Sequence, residues 1–407
     1  MQKPFVNASG KGSWLSSRIA TLLVTLLVAS SFLLVSAVFA RILDEEQFLQ
    51  FQIVNRYVGF AVAIGTLSIG YTIITKIHEG MPANEVLANS ILLTVFSLVT
   101  LVVPVLAFAM PSVEFLLASI AYVFGNNLFY IVISRYRSAD QNIAANVFTI
   151  IGKLLPLFIA VFSISALRLS SAYFFSICGF AMTFLMVGLL LRYDRAALHF
   201  ASSSRNAFRC LFQHTASRAL DNVNRVAFPT VLIWVVEHTQ STLMAGKIAI
   251  LAVVLKASES ILQQLMLHSH AVAIQRNDNI NRRLIAQLFG LSVLFNIAIS
   301  AIILAYGKFF LCLWLSEKYG SLSGELFLMS LALGPIIAVP LIRAEVDHLF
   351  RISPILILDF LLYSSLAVLF FLQFDLWNLC IYLVFLYWVR LLLFFLIVSV
   401  HRSKKFS

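Results

Sequence analysis

Three cations stand deep inside apolar runs of this chain: Arg56, Lys256 and Arg390. A charge near the centre of a membrane helix costs roughly 2.5–3.5 kcal/mol even on lenient insertion scales, so each must face water, a partner or a ligand. At about 1.5 Å of rise per residue, Arg56 sits roughly 12 Å below the outer end of its run, and Lys256 and Arg390 roughly 20 Å into theirs. Arg225, Lys153 and Arg343 lie closer to run ends, where a long side chain can snorkel to the interface.

Each deep cation belongs to a polar stripe at helical spacing. Gln52, Asn55, Arg56 and Gly59 share one face, continued by Thr66 and Gly70; Lys256, Glu259, Ser260, Gln263 and His270 share another. A third stripe holds Arg218, Asp221, Asn222 and Arg225, with Asp221 and Arg225 at the i,i+4 spacing of a helical ion pair and Pro229 expected to kink the helix beyond them. Tyr387 stands one turn from Arg390.

Two readings of these stripes stand side by side. In one, buried polar groups tie helices together by interhelical hydrogen bonds, which suits Gln52, Asn55, Ser260 and Gln263. In the other, cations at matched depth create a positive cavity, which suits Arg56 and Lys256, with Arg225 and Arg390 behind them. Such a cavity attracts a multiply charged anion, and phosphate or pyrophosphate fits guanidinium groups in a bidentate way. Glu259 can neutralise Lys256 at i,i+3. Glu259 and Asp221 are also the candidates for coupling to a proton or cation gradient, whereas Asp347 and Asp359 are expected near the cytoplasmic surface, solvated.

The elements that position these groups follow from composition. With 61% hydrophobic and 12% charged residues and a mean hydropathy of +0.94, the chain is far from the soluble norm of about 25% charged residues. A hydrocarbon core about 30 Å thick needs roughly 20 apolar residues per helix, so 407 residues hold about a dozen spans. The hydropathy pattern predicts them at about 19–40, 48–75, 86–109, 113–134, 146–166 and 171–191, then at about 219–237, 243–274, 284–306, 324–349, 354–373 and 377–400.

Eighteen of the 29 Lys and Arg residues then fall on one side of the membrane and four, Arg41, Arg168, Lys308 and Lys318, on the other. Short loops rich in Lys and Arg stay in the cytoplasm, so both termini are expected there. The run ending Val38-Phe39-Ala40 superficially resembles a signal-peptide cleavage site, but its length suits an uncleaved first helix. Residues 193–218 mix basic residues with Phe200, Phe208, Leu211 and Phe212 and are expected to form a cytoplasmic amphipathic linker between two six-helix lobes, 1–192 and 219–407. An offset of 200 aligns Arg18 with Arg218, Arg56 with Lys256 and Lys76 with Arg276, as a parallel repeat would, each lobe then supplying one cation to a shared path.

Other chemistries find little purchase. Cys178, Cys210, Cys312 and Cys380 are scattered without CxxC spacing, His268 and His270 point to different faces, and no GxxxxGK[ST] loop occurs, so no metal, cofactor or ATP site is assigned. The formal charge of +11 is explained by the loop bias and implies no nucleic-acid partner.

Ala40-Arg41-Ile42-Leu43 followed by Phe48 and Phe51 resembles the "ARxLxxxxFGxY" stretch after the first helix of polysaccharide flippases in the MATE-like exporter (MOP) superfamily, the Wzx-type O-antigen and capsule repeat-unit translocases. The usual glycine is replaced, with Leu49 and Gln50 between the two phenylalanines, and Ser241 to Lys247 does not reproduce the Gly-x-Tyr expected after the seventh helix. The resemblance otherwise covers the whole chain in length, helix count and topology.

It implies an all-α integral membrane fold of about twelve helices in two six-helix lobes around a central cavity. It further implies a non-enzymatic flippase that moves an undecaprenyl-pyrophosphate-linked oligosaccharide from the inner to the outer leaflet of the bacterial inner membrane by alternating access. A polysaccharide polymerase and a chain-length regulator are the partners it implies. A multidrug or other lipid exporter of the same superfamily shares this topology but commonly takes cationic substrates. A membrane polymerase or ligase needs a long outward loop with catalytic Arg or His, whereas residues 306–323 offer only Lys308 and Lys318.

Overall fold

The structure, a computed structural model, describes residues 11–67, 69–193, 204–255, 282–336, 338 and 354–403. Among these there is no strand. Seven helical stretches of the described chain are long and apolar enough to cross a membrane: Glu45–His78, Ala83–Ala109, Val113–Ser138, Asn142–Leu167, Ala172–Arg192, Ser292–Trp314 and Leu376–Ile397. Shorter apolar helices cover Leu26–Ile42, Thr242–Leu255 and Leu358–Phe370. Phe108, Phe162 and Phe184 on these helices are exposed, as expected for surfaces that meet lipid, where an apolar face costs nothing. The chain is an all-α, multi-pass membrane protein.

The helices are α1 (Lys11–Ile42), α2 (Glu45–Thr66), α3 (Ile69–His78), α4 (Ala83–Ser97), α5 (Val103–Ala109), α6 (Val113–Ser138), α7 (Asn142–Leu167), α8 (Ala172–Tyr193) and α9 (Arg205–Thr239). They continue as α10 (Thr242–Leu255), α11 (Arg282–Trp314), α12 (Ser323–Ser330), α13 (Pro354–Ser365) and α14 (Leu376–Ser403). Local sequence explains several boundaries. Ser112 caps α6 by accepting from the Phe115 amide at 3.3 Å. Arg168 ends α7 in the left-handed region at φ 50°, a conformation that usually selects glycine. Leu67, at φ 42°, breaks the second span after α2, and a π-helical turn at Leu98–Val102 interrupts the third between α4 and α5.

The chain divides into two compact units, residues 1–32 with 57–226 and residues 33–56 with 227–407. In the first, α6 packs backbone to backbone on α8: a Cβ at Gly125 would lie 2.4 Å from the Gly179 carbonyl oxygen, and one at Gly179 would meet Ala121 equally closely. Small residues permit this approach, which replaces the hydrophobic drive that lipid removes. In the second unit Gly246 plays the same part for α2 and α10, where a Cβ would stand 2.6 Å from that of Leu49. Asn296 of α11 donates to the Leu331 carbonyl at 3.2 Å and accepts from the Gly334 amide at 3.1 Å. Ser330 of α12 donates to Ser300 of α11 at 2.8 Å.

Two expectations change here. Residues 205–218, read as linker, are the start of the long helix α9 and belong with residues up to 226 in the first unit. Leu211 and Thr215 are buried there, and Phe208 and Phe212 stack edge-on against Phe96 at 6.4 and 6.3 Å. Leu211 turns inward to protein, while Phe212 stays exposed. Residues 33–56, assigned to the N-terminal lobe, pack instead within the second unit, because Trp314 and Ala249 supply their hydrogen-bonding partners.

Candidate functional site

In the second unit Arg56 lies on α2 facing α10, and its Nη2 donates to the Ala249 carbonyl at 3.4 Å. Its Nε is buried without a hydrogen-bond partner among the described residues. One turn earlier on the same face, Gln52 is buried and donates from Nε2 to Ser36 of α1 at 3.2 Å. Its Oε1 is likewise buried and unsatisfied among the described residues. A donor and an acceptor thus stand unused one turn apart, where buried polar groups are ordinarily satisfied by protein or water. Asn55 beside them is half-buried.

The other described deep cation, Arg390 on α14, is not bare. Its Nη2 forms an ion pair with Oδ1 of Asp359 on α13. Asp359 was expected in solvent; it is buried instead, since a charged α14 opposite leaves it a partner inside the apolar helix pair. Phe228 of α9 packs between Tyr363 and Tyr387, at ring separations of 5.8 and 5.7 Å. The expected neighbour Tyr387 is therefore part of the aromatic wall beside the ion pair.

Arg225 and Asp221 lie on α9, within one and two turns of Phe228. Lys256, Glu259, Ser260 and Gln263, together with Arg343 and Asp347, fall outside the described residues. The helix α10 is described as far as Leu255, the residue before Lys256 in the sequence. Arg56 is the last residue of its segment in the second unit, at a boundary that falls inside α2.

Arg41, the arginine of the family-like stretch, has a structural task. It donates to the carbonyls of Ala37 at 2.9 Å, Trp314 at 3.2 Å and Leu313 at 2.5 Å. These last two are orphan carbonyls at the C-terminus of α11, the end of a helix dipole where a cation is favoured. Trp314 returns the tie by donating from Nε1 to the Leu33 carbonyl at 2.7 Å. Phe48 and Phe51 of the same stretch are fully buried, against Tyr319 and Phe39.

The first unit contains a cation that sequence reasoning placed at the interface. Lys153 of α7 is buried, donates to the Oδ1 of Asn126 on α6, and lies over the rings of Phe129 and Tyr130 at 4.4 and 5.2 Å. An amide oxygen and two ring faces replace its lost hydration. A second polar seam links Thr72 of α3 to His214 and Thr215 of α9, each at 3.2 Å. Outside the membrane-crossing segments, a hydrogen bond from Lys76 at 2.6 Å holds the Glu79 carboxyl below its ordinary value. Among the described residues no group of His, Cys, Asp and Glu is arranged to hold a metal ion, and the four cysteines are free.

No family model matches the chain, and no curated protein matches it. Two solved structures do. One, described as "Crystal structure of MATE in the bent conformation", aligns over 97% of this chain and 97% of its own at a TM-score of 0.51 and 14% identity. The fold is MATE-like. The other, described only as "protein A", aligns over 92% of this chain and 100% of its own, again at 0.51, with 16% identity. At such identities the likeness concerns the path of the backbone, and the chemistry must come from this chain's own residues.

Proposed function

We propose that this chain is a secondary exporter that flips a lipid-linked anion, an undecaprenyl-pyrophosphate-linked oligosaccharide repeat unit, from the cytoplasmic to the outer leaflet. The observation that carries the reading is Arg56: a guanidinium inside an apolar span whose Nε has no acceptor among the described residues. A pyrophosphate supplies several acceptors and the opposite charge, and in a low-dielectric setting that attraction is strong. Gln52, with its unused Oε1, suits a hydroxyl or a protonated phosphoryl oxygen next to the charged group. Arg225, Arg390 and Lys256 extend the same cationic character.

A MATE-like fold supports alternating exposure of a bound ligand by its lobes, with no ATP-binding loop needed in this chain. In this reading the protein works in the bacterial inner membrane with both termini cytoplasmic, beside a polysaccharide polymerase and a chain-length regulator. Glu259 and Asp221 are the proposed coupling groups. A drug exporter with cationic substrates would call for an uncompensated buried carboxylate; among the described residues, the buried Asp359 is paired with Arg390.

The test is a clean deletion of the gene in a host without a duplicate. Lipid-linked repeat units should accumulate facing the cytoplasm and surface glycan should be lost; normal surface glycan would refute the proposal.

A further inference from the structure

Building on that reading, we propose that Asp359 is a built-in counter-anion for Arg390, which the anionic headgroup of the substrate displaces on binding. The two residues meet across α13 and α14, with side-chain exposures of 9% for Asp359 and 17% for Arg390. A pair so enclosed is held more by its charges than by solvent-exposed convenience, because a bare charge left in its place would be heavily penalised.

Two features make the pair exchangeable. The guanidinium presents donors in a planar fork, yet Asp359 engages Nη2 while the buried Nε has no partner among the described residues. A pyrophosphate brings more negative charge than one carboxylate and enough oxygens to engage Nε and Nη2 together. It cannot share the guanidinium comfortably with Asp359, since like charges at such range repel. The phenolic rings of Tyr363 and Tyr387 both pack on Phe228.

The arrangement explains how an empty carrier tolerates the site. When the headgroup leaves, Asp359 re-pairs with Arg390 and no buried cation remains unpaired. When a headgroup arrives, the carboxylate is released and the α13–α14 link loosens. Asp359 therefore lowers affinity and favours release.

The experiment measures binding of inorganic pyrophosphate, and in parallel farnesyl pyrophosphate, to the full chain in lipid nanodiscs. Asp359→Asn should bind at least about tenfold tighter than wild type, the scale set by coupling between close charge pairs. Arg390→Gln should lose that gain when combined with it, and Asp359→Glu should resemble wild type. Tighter binding of the farnesyl form would identify a lipid headgroup as the source, and equal binding a free anion. An unchanged or weaker affinity in Asp359→Asn, with Arg390→Gln impaired, overturns the displacement while leaving the flippase reading intact. If wild type, Asp359→Asn and Arg390→Gln all bind alike, Arg390 lies outside the site and the inference falls. Binding of neither probe to any variant sinks both it and the anionic-substrate reading.

Infrared difference spectra of the wild type cover the case in which Asp359→Asn does not fold. Pyrophosphate should shift a carboxylate stretch that Asp359→Glu displaces; no carboxylate change overturns the proposal.

Discussion

At the residue scale, the molecule separates cations that hold it together from cations with unused valence. Arg41 spends its donors on main-chain carbonyls, and Lys153 is held by Asn126 and two rings. Arg56 keeps a buried Nε unused among the described residues. Losing one charge-assisted hydrogen bond costs about 1.5–3 kcal/mol, roughly a ten- to hundredfold effect. Arg56→Ala should therefore cut surface-glycan complementation at least about tenfold with unchanged protein level on immunoblots, and Arg56→Lys should retain part of it. Full complementation by Arg56→Ala would leave the arginine a structural role only. Depth in an apolar run singled out Arg56 and Arg390 in the sequence, because a charge there needs a reason, and stripe position added Gln52. The Arg390 partner was not readable: Asp359 sits near the end of an apolar run, where solvent is the default expectation, and only helix packing brings the two together.

At the element scale, hydropathy located the helices well. Every expected span that falls on described residues meets a helix, since about 20 apolar residues in lipid have no other way to satisfy their backbone. The interruptions escaped it. The break at Leu67, the π-turn at Leu98–Val102 and the 3-10 turn at Leu366–Phe370 occur inside runs that are apolar on average, and average hydropathy is silent about backbone hydrogen bonding. The role of the Arg41 stretch was likewise hidden, because its acceptors lie on a helix far along the chain. Arg41→Met should lower thermal stability by about 1 kcal/mol, a modest sum because the side chain is exposed and water competes. Pyrophosphate binding in nanodiscs should be unchanged by it. A loss of binding at full stability would place Arg41 in the site instead.

At the scale of the whole molecule, composition and the series of apolar runs gave an all-α, multi-pass membrane protein, which the described helices and the MATE-like backbone match. The internal grouping was less accessible. Residues 33–56 take in the end of the first apolar run and the start of the second yet group with residues 227–407, because the bonds that fix them run to Trp314, Leu313 and Ala249. Sequence order alone cannot reveal such pairing. The most direct measurement of the central claim is flipping itself, in proteoliposomes holding a fluorescent undecaprenyl-pyrophosphate-linked sugar. Wild-type protein should expose the label to a membrane-impermeant quencher several-fold faster than Arg56→Ala protein or empty liposomes. Equal rates in all three would contradict the account.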